Sequence, residues 1–219
     1  MAAIKKQSLV DQIYQRLRED IIMQRIPLGS HLNVNELQTQ LEVSCTPIRE
    51  AINRLQQEGL VVYENNVGAR VLTLDEHDVR EIQELAVTLQ GAAVRLSMAN
   101  GDRAVMAREV LEQIQRYEQA KDPQEEVGAV HNLIGVFYHH CGNKRLDNSM
   151  IAIQGQQLLL RYMFARCPDH GESVPYFMRM YQGILDNDCG AICTALEEYA
   201  QSIQPGILSY LRAETAGRG

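Results

Sequence analysis

Apolar residues at Val10, Ile13, Tyr14, Leu17, Ile21 and Ile22 recur three and four positions apart, the spacing of one helix face, from Ser8 to near Met23. After a Pro27-Leu28-Gly29 turn, Asn33 or Asn35 caps a short helix that ends near Leu41. A third helix is expected from Thr46-Pro47, with Thr46 as N-cap and Pro47 in the first turn, where its missing N–H costs nothing. At about 100° per residue, Ile48, Ala51, Ile52 and Leu55 fall on one side of it. Thr46, Arg49, Glu50, Asn53 and Gln57 fall on the other. Glu58-Gly59-Leu60 stops this helix, and Leu60-Val61-Val62-Tyr63 and Arg70-Val71-Leu72 then read as strands bracketing Glu64-Asn65-Asn66-Val67-Gly68. Three helices and a β-wing in residues 1–74 make a winged helix-turn-helix.

Beyond Thr73 the strand signals stop. Asp75 opens a long helical pattern to about Ala99, Asp102 caps a second through Ala120, and Asp122-Pro123 starts a third stopped by Gly142-Asn143. A fourth covers 144–166, and Cys167-Pro168-Asp169-His170-Gly171 is a loop. A fifth starts at Ser173 or Val174-Pro175 and ends near Asn187. The last begins near Asp188, and its Pro205 should kink or split it at about Gln204. The fold expected is therefore mainly α: the winged helix-turn-helix, then an all-α antiparallel bundle of about six helices in residues 75–219.

Composition adds bounds. Hydrophobic residues make up 45% and charged ones 22%, as in an ordinary soluble protein. No apolar run approaches the roughly 18–20 residues of a membrane span, and the start of the chain lacks a signal-peptide pattern. Five cysteines without framework spacing suit a reducing compartment, so the expected location is the cytoplasm, away from membranes. A net charge of −7 argues at first against a nucleic-acid partner. Yet residues 1–74 carry eight basic and eight acidic side chains, leaving 13 basic and 20 acidic for the remainder. The acid is segregated, and Lys5, Lys6, Arg49, Arg54 and Arg70 could share a face.

The outward flank of the third helix presents small, hydrogen-bonding and cationic groups from its N-terminal half, which is the half a recognition helix offers to base edges in a major groove. Arg49 has a fork that can grip guanine O6 and N7, worth about 1–3 kcal/mol of discrimination. The bland alternative is a solvated charge or an ion pair with Glu50 or Glu58. Asn53, Arg54 and Arg70 extend the candidate surface, and Gly68 allows close approach of the wing backbone to a minor groove.

Pro27-Leu28-Gly29, the run from Val43 through Ser44-Cys45-Thr46-Pro47-Ile48-Arg49-Glu50-Ala51, Leu55, Glu58-Gly59-Leu60 and Gly68-Ala69-Arg70-Val71 resemble the DNA-binding domain of the GntR superfamily. The helical remainder, with Leu89, Leu96, Gly142-Asn143 and Leu146 in register, resembles the FadR-like subfamily and its FCD ligand-binding domain. The resemblance implies a homodimeric, metabolite-responsive transcription regulator, usually a repressor, on a double-stranded inverted-repeat operator. It also implies that Thr46, Arg49 and the wing around Asn65, Asn66 and Gly68 meet DNA. One departure is Cys45, where the family usually has Arg, which removes a cation from the contact surface.

Many FCD domains hold a divalent metal with an Asp, a His four residues later and two further His. The corresponding positions here read Val130, Ile134, Phe177 and Tyr199, so no metal and no other cofactor is expected. An Arg and a Glu usual on the first helix of that domain read Ala86 and Gln90. A pocket lined by Val130, Ile134, Phe177 and Tyr199 would either hold a larger, less charged effector or be filled by side chains. His131 faces that pocket or is a structural histidine, and Arg161 grips an effector anion, forms a salt bridge or snorkels. His139, His140 and Cys141 suit a helix end, Cys189 and Cys193 share a face as small hydrophobes, and Cys167 with His170 lacks an orienting partner. The chain has no Gly-rich phosphate loop, HExxH, GxSxG or clustered carboxylates, so an enzyme is disfavoured against a ligand-gated regulator. A regulator with a filled pocket, controlled by abundance or a partner protein, is the alternative.

Overall fold

The computed structural model describes residues 8–64, 68–167 and 171–216 of the chain. It divides into two compact units, Met1–Thr73 with Gln154–Gln156, and Leu74–Ile153 with Gln157–Gly219.

In the first unit, α1 (Leu9–Ile22), α2 (Val34–Leu41) and α3 (Cys45–Gln57) precede an antiparallel hairpin of β1 (Val61–Glu64) and β2 (Gly68–Val71). Ser8 and Asp11 form a reciprocal capping box at the start of α1, and the Asn33 side chain caps α2. Ile13, Leu17 and Ile21 of α1 are buried, as are Ile48, Ala51, Ile52 and Leu55 of α3, and α1 packs on α3. The apolar stripe read from the periodicity is therefore the core stripe. The N-cap of α3 is Ser44, and Thr46 sits inside the first turn, which corrects the assignment of Thr46 as cap. Pro47 is still tolerated there, because the first four N–H groups of a helix have no intrahelical acceptor. At the other end, Gly59 (φ 72°) donates to the Gln56 carbonyl and Leu60 to the Leu55 carbonyl. This is a Schellman closure, with Leu55 and Leu60 both buried beside it. The hairpin pairs Val61 with Val71 and Glu64 with Gly68, and Leu72 N–H continues the pairing to the Leu60 carbonyl.

A polar cluster ties α1 to α3. Glu58 is 3% exposed and accepts from Arg18 Nε and Nη2 at 2.8 and 2.6 Å and from the Tyr14 hydroxyl at 2.8 Å. Burial acts to lower the Arg18 pKa, but the Glu58 carboxylate outweighs it and holds the guanidinium above its ordinary value. Arg54 reaches Asp11 at 2.6 Å and lies 4.1 Å over the Tyr14 ring.

The second unit holds α4 (Glu76–Asn100), α5 (Arg103–Gln119), α6 (Pro123–His140), α7 (Lys144–Ala165), α8 (Val174–Leu185) and α9 (Cys189–Ala216), six helices among the described residues. Asp75, Asp102, Asp122 and Asn143 cap four of them through their side chains, as polar residues before apolar runs should. α5 packs on α6 and α8, α8 on α9, and α4 on α6 and α9. Pro205 does not split the last helix, which runs on to Ala216. The carbonyl left without its helical donor belongs to Gln201, an exposed residue, so water can satisfy it. No helix among the described residues is long and apolar enough to cross a membrane.

Removing one partner of a buried ion pair leaves the other charge uncompensated. Arg18→Ala should therefore cost about 3 kcal/mol, read as a lower urea midpoint with the slope unchanged.

Candidate nucleic-acid interface and buried arginine cavity

Arg49 projects from the second turn of α3, exposed, and makes no hydrogen bond or ion pair among the described residues. It borders a groove of about 390 Å³ together with His31, Asn33, Tyr63 and Gly68. That groove runs between the start of α2, the exposed flank of α3 and the wing. Thr46 is exposed one turn before Arg49. Of the alternatives for Arg49, pairing with Glu58 is excluded, because Glu58 is committed to Arg18 and Tyr14.

The neighbouring candidates are engaged. Asn53 is exposed and accepts from the Tyr63 hydroxyl at 3.1 Å, which links α3 to β1. Arg54 is held by Asp11 and the Tyr14 ring, so its charge is already partnered inside the domain. Arg70 donates to the Gly29 carbonyl at 2.7 Å, contacts His31 Nε2 at 2.7 Å and stands 3.1 Å from the Glu64 carboxylate. It fastens the wing to the turn before α2. Gly68 has φ 105°, and nothing lies within 4 Å of where a Cβ would stand. Glycine is required there by the backbone of the turn rather than by crowding. Asn65 and Asn66 lie outside the described residues. The Cys45 thiol donates to Gln38 Oε1 at 2.8 Å, joining the start of α3 to α2 where a family-type Arg would project. Sequence periodicity had no signal for His31 or Gln38, which come close only because the α2 entry folds back on the wing and on α3.

In the helical unit the expected pocket residues separate into two groups. Val130, Ile134, Phe177 and Tyr199 are all buried. Phe177 meets Tyr199 edge-on at 5.0 Å and Tyr117 at 5.2 Å, an aromatic cluster that fills space between α5, α8 and α9. Three aliphatic or aromatic side chains and a phenol do not fit a divalent metal. Burial holds the Tyr199 phenol neutral, far above its ordinary range. Among the described residues no three His, Cys, Asp or Glu side chains gather at metal-binding range. His131 is half-buried. His139 and His140 end α6, where His140 Nε2 meets Glu109 at 2.9 Å. Cys189 and Cys193 are only half-buried rather than core residues; burial and the adjacent Cys189 push the Cys193 thiol up to about 11. His170 lies outside the described residues.

Arg161 is 7% exposed and makes no hydrogen bond or ion pair among the described residues. It lines a cavity of about 30 Å³ with Ala86, Gln90, Gln157 and Tyr199. Burial pulls its pKa below the ordinary value, partly offset by Tyr199 and Tyr138. Neither phenol is ionised at neutral pH, and both are pushed far up by burial. Gln90 and Gln157 were legible only as polar residues on long helices; their meeting across the bundle is a tertiary fact.

A helix with an exposed arginine flank, seated on a helix-turn-helix and flanked by a two-stranded wing, defines a winged helix-turn-helix domain. Residues 9–71 match the family described as "Bacterial regulatory proteins, gntR family". The chain is 35% identical over 103 residues to an uncharacterized HTH-type transcriptional regulator, BphR, of Paraburkholderia xenovorans strain LB400, across 47% of this chain and 42% of the relative. It is 36% identical over 90 residues to the gluconate operon transcriptional repressor of Bacillus licheniformis, across 41% and 37%. In both cases it spans less than half of the relative's length. Among solved structures, Escherichia coli McbR/YncC superposes with a TM-score of 0.74 at 20% identity, covering 89% of this chain and 94% of the other, a likeness of fold.

The different engagement of the arginines has a measurable consequence. Arg49→Ala should leave stability within about 0.5 kcal/mol of the parent, whereas Arg54→Ala should cost about 1 kcal/mol by losing its ring and carboxylate contacts. Thermal unfolding of both variants checks the contrast.

Proposed function

We propose that the protein is a transcription regulator, acting as a repressor, that binds an inverted-repeat operator as a homodimer. The observation that carries this reading is Arg49: an exposed guanidinium on α3, beside a groove bounded by the wing, with no hydrogen bond or ion pair among the described residues. In a dimer, two such helices enter major grooves about 34 Å apart. Thr46 and Arg49 meet base edges, while Asn53 and the wing residues Asn65, Asn66 and Gly68 follow the backbone and minor groove. Arg70 and Arg54 act mainly by fixing the wing and α3, because their charges are already paired.

The helical unit then serves as the regulatory module. A small-molecule effector changes operator affinity only to the extent that it binds the DNA-competent and incompetent states differently. A second reading, a regulator governed by abundance or a partner protein, is favoured by one observation: the aromatic cluster at Phe177 and Tyr199 occupies much of the space a large effector would need. Neither reading calls for catalysis.

Operator recovery from genomic DNA, followed by mobility shift against competitor DNA, tests the proposal. Specific retention should weaken as salt rises, in proportion to the number of phosphates neutralised. Arg49→Ala should lose about 1–3 kcal/mol of selectivity at each half-site, so that the preference for operator over competitor DNA narrows by that amount while non-specific binding persists. An unchanged footprint would remove Arg49 from the interface.

A further inference from the structure

Two exposed side chains beside Arg49 are tied to the domain at one atom and open at another. His31 stands at the entry to α2, where its backbone bridges to Arg70 on β2 and its Nε2 lies 2.7 Å from Arg70 Nη2. A guanidinium only donates, so Nε2 must accept and the ring proton sits on Nδ1. That N–H makes no hydrogen bond among the described residues. Asn53 lies one turn after Arg49 on the exposed flank of α3, and its Oδ1 accepts from the Tyr63 hydroxyl at 3.1 Å. Its NH2 likewise donates to no atom of the described residues.

Each of these internal bonds consumes an acceptor. Asn33, which also lines the groove, is closed on itself: its oxygen caps α2 and its nitrogen donates to Glu36. The nearby Glu64 carboxylate is engaged by Arg70. His31, Arg49 and Asn53 therefore offer donors outward: one ring N–H, one guanidinium fork and one amide NH2. Such a set suits a ligand that only accepts, as phosphodiester oxygens do. It suits adenine poorly, because that base edge pairs an acceptor at N7 with a donor at N6. An asparagine reads it by presenting oxygen and nitrogen together, and Tyr63 holds the Asn53 oxygen toward β1.

We propose that Tyr63 and Arg70 are positioning residues that set the polarity of this groove. Each takes the acceptor atom of its neighbour, so that His31 Nδ1–H and the Asn53 NH2 grip phosphate oxygens of duplex DNA. His31 thereby joins the contact surface from the α2 entry, and Asn53 is a backbone contact instead of an adenine reader. The inference rests on the DNA-binding reading proposed above and goes beyond it in saying which atoms meet phosphate and what aims them.

Fluorescence anisotropy and phosphate-ethylation interference with the full chain, on the recovered operator and on random duplex, test it. His31→Ala and Asn53→Ala should each weaken both duplexes by the same factor, about five- to twentyfold, and each should lose interference at a phosphate. The ranking of single-base operator variants should stay as in the parent, and so should the salt slope, which counts phosphates neutralised by cations. His31→Gln, whose amide can accept from Arg70 and donate outward, should bind within about twofold of the parent. Tyr63→Phe should weaken binding less than Asn53→Ala and add nothing to it in the double variant. Should His31→Ala not fold, the Asn53 and Tyr63 variants, at exposed side chains, carry the test. A changed base preference in Asn53→Ala, interference kept at every phosphate, or additive losses in the double variant would overturn the proposal. Arg49-dependent operator preference, with His31→Ala and Asn53→Ala binding like the parent, overturns this proposal alone. Equal binding of operator and random duplex, with both losses present, upholds it and overturns the regulator reading, and no binding to any duplex overturns both.

Discussion

A carboxylate that is almost wholly removed from water has to be held by charge and hydrogen bonds together, and Glu58 is such a group. It terminates α3, and its two oxygens collect the fork of Arg18 and the hydroxyl of Tyr14 from α1. The same tyrosine lies under Arg54, which reaches on to Asp11, a residue already engaged in capping α1. Through these five side chains the rotation of α3 relative to α1 is fixed at the C-terminal half of α3. The apolar stripe fixes it along the rest of its length. Arg49, on the opposite face, is presented at a set angle because of contacts it does not itself make.

The wing depends on the same economy of partners. Arg70 spans from β2 to the Gly29 turn and to His31, so the hairpin and the entry to α2 are one piece. The bridge between His31 and Arg70 and the main-chain bonds from Gly29 and Leu32 to β2 reinforce this join. A basic residue that would count toward a DNA footprint by charge alone is thereby a structural fastener. Of the five cations that charge alone would count, Arg49, Arg54 and Arg70 lie among the described residues; Arg54 and Arg70 are partnered within the domain, and Arg49 makes no hydrogen bond or ion pair among the described residues.

The helical unit has the opposite character. There, large aromatic groups close much of the interior, and among the described residues the one buried charged side chain is the Arg161 guanidinium, which lines a cavity with Gln90, Gln157 and Tyr199. Such an arrangement stabilises the fold poorly by itself, since a desolvated charge without a counter-ion is costly. Val130, Ile134, Phe177 and Tyr199 are all buried packing groups.

Helix limits, caps and the buried face of α3 were readable from the chain itself, because they rest on local rules: a capping side chain within three residues, a period of 3.6, a glycine where φ is positive. Even so, the shift from Thr46 to Ser44 at the start of α3, and the passage of α9 through Pro205, show where local rules tie and context decides. Partnership was not readable. That Arg54 and Arg70 are spent internally while Arg49 is not, and that Gln90, Gln157 and Tyr199 converge on Arg161, depends on side chains separated by tens of residues being brought within a few ångströms. The chain alone determined which elements form and which face each one buries; only the folded arrangement decided which charges find a mate, because an ion pair is a relation between distant positions and leaves no period behind.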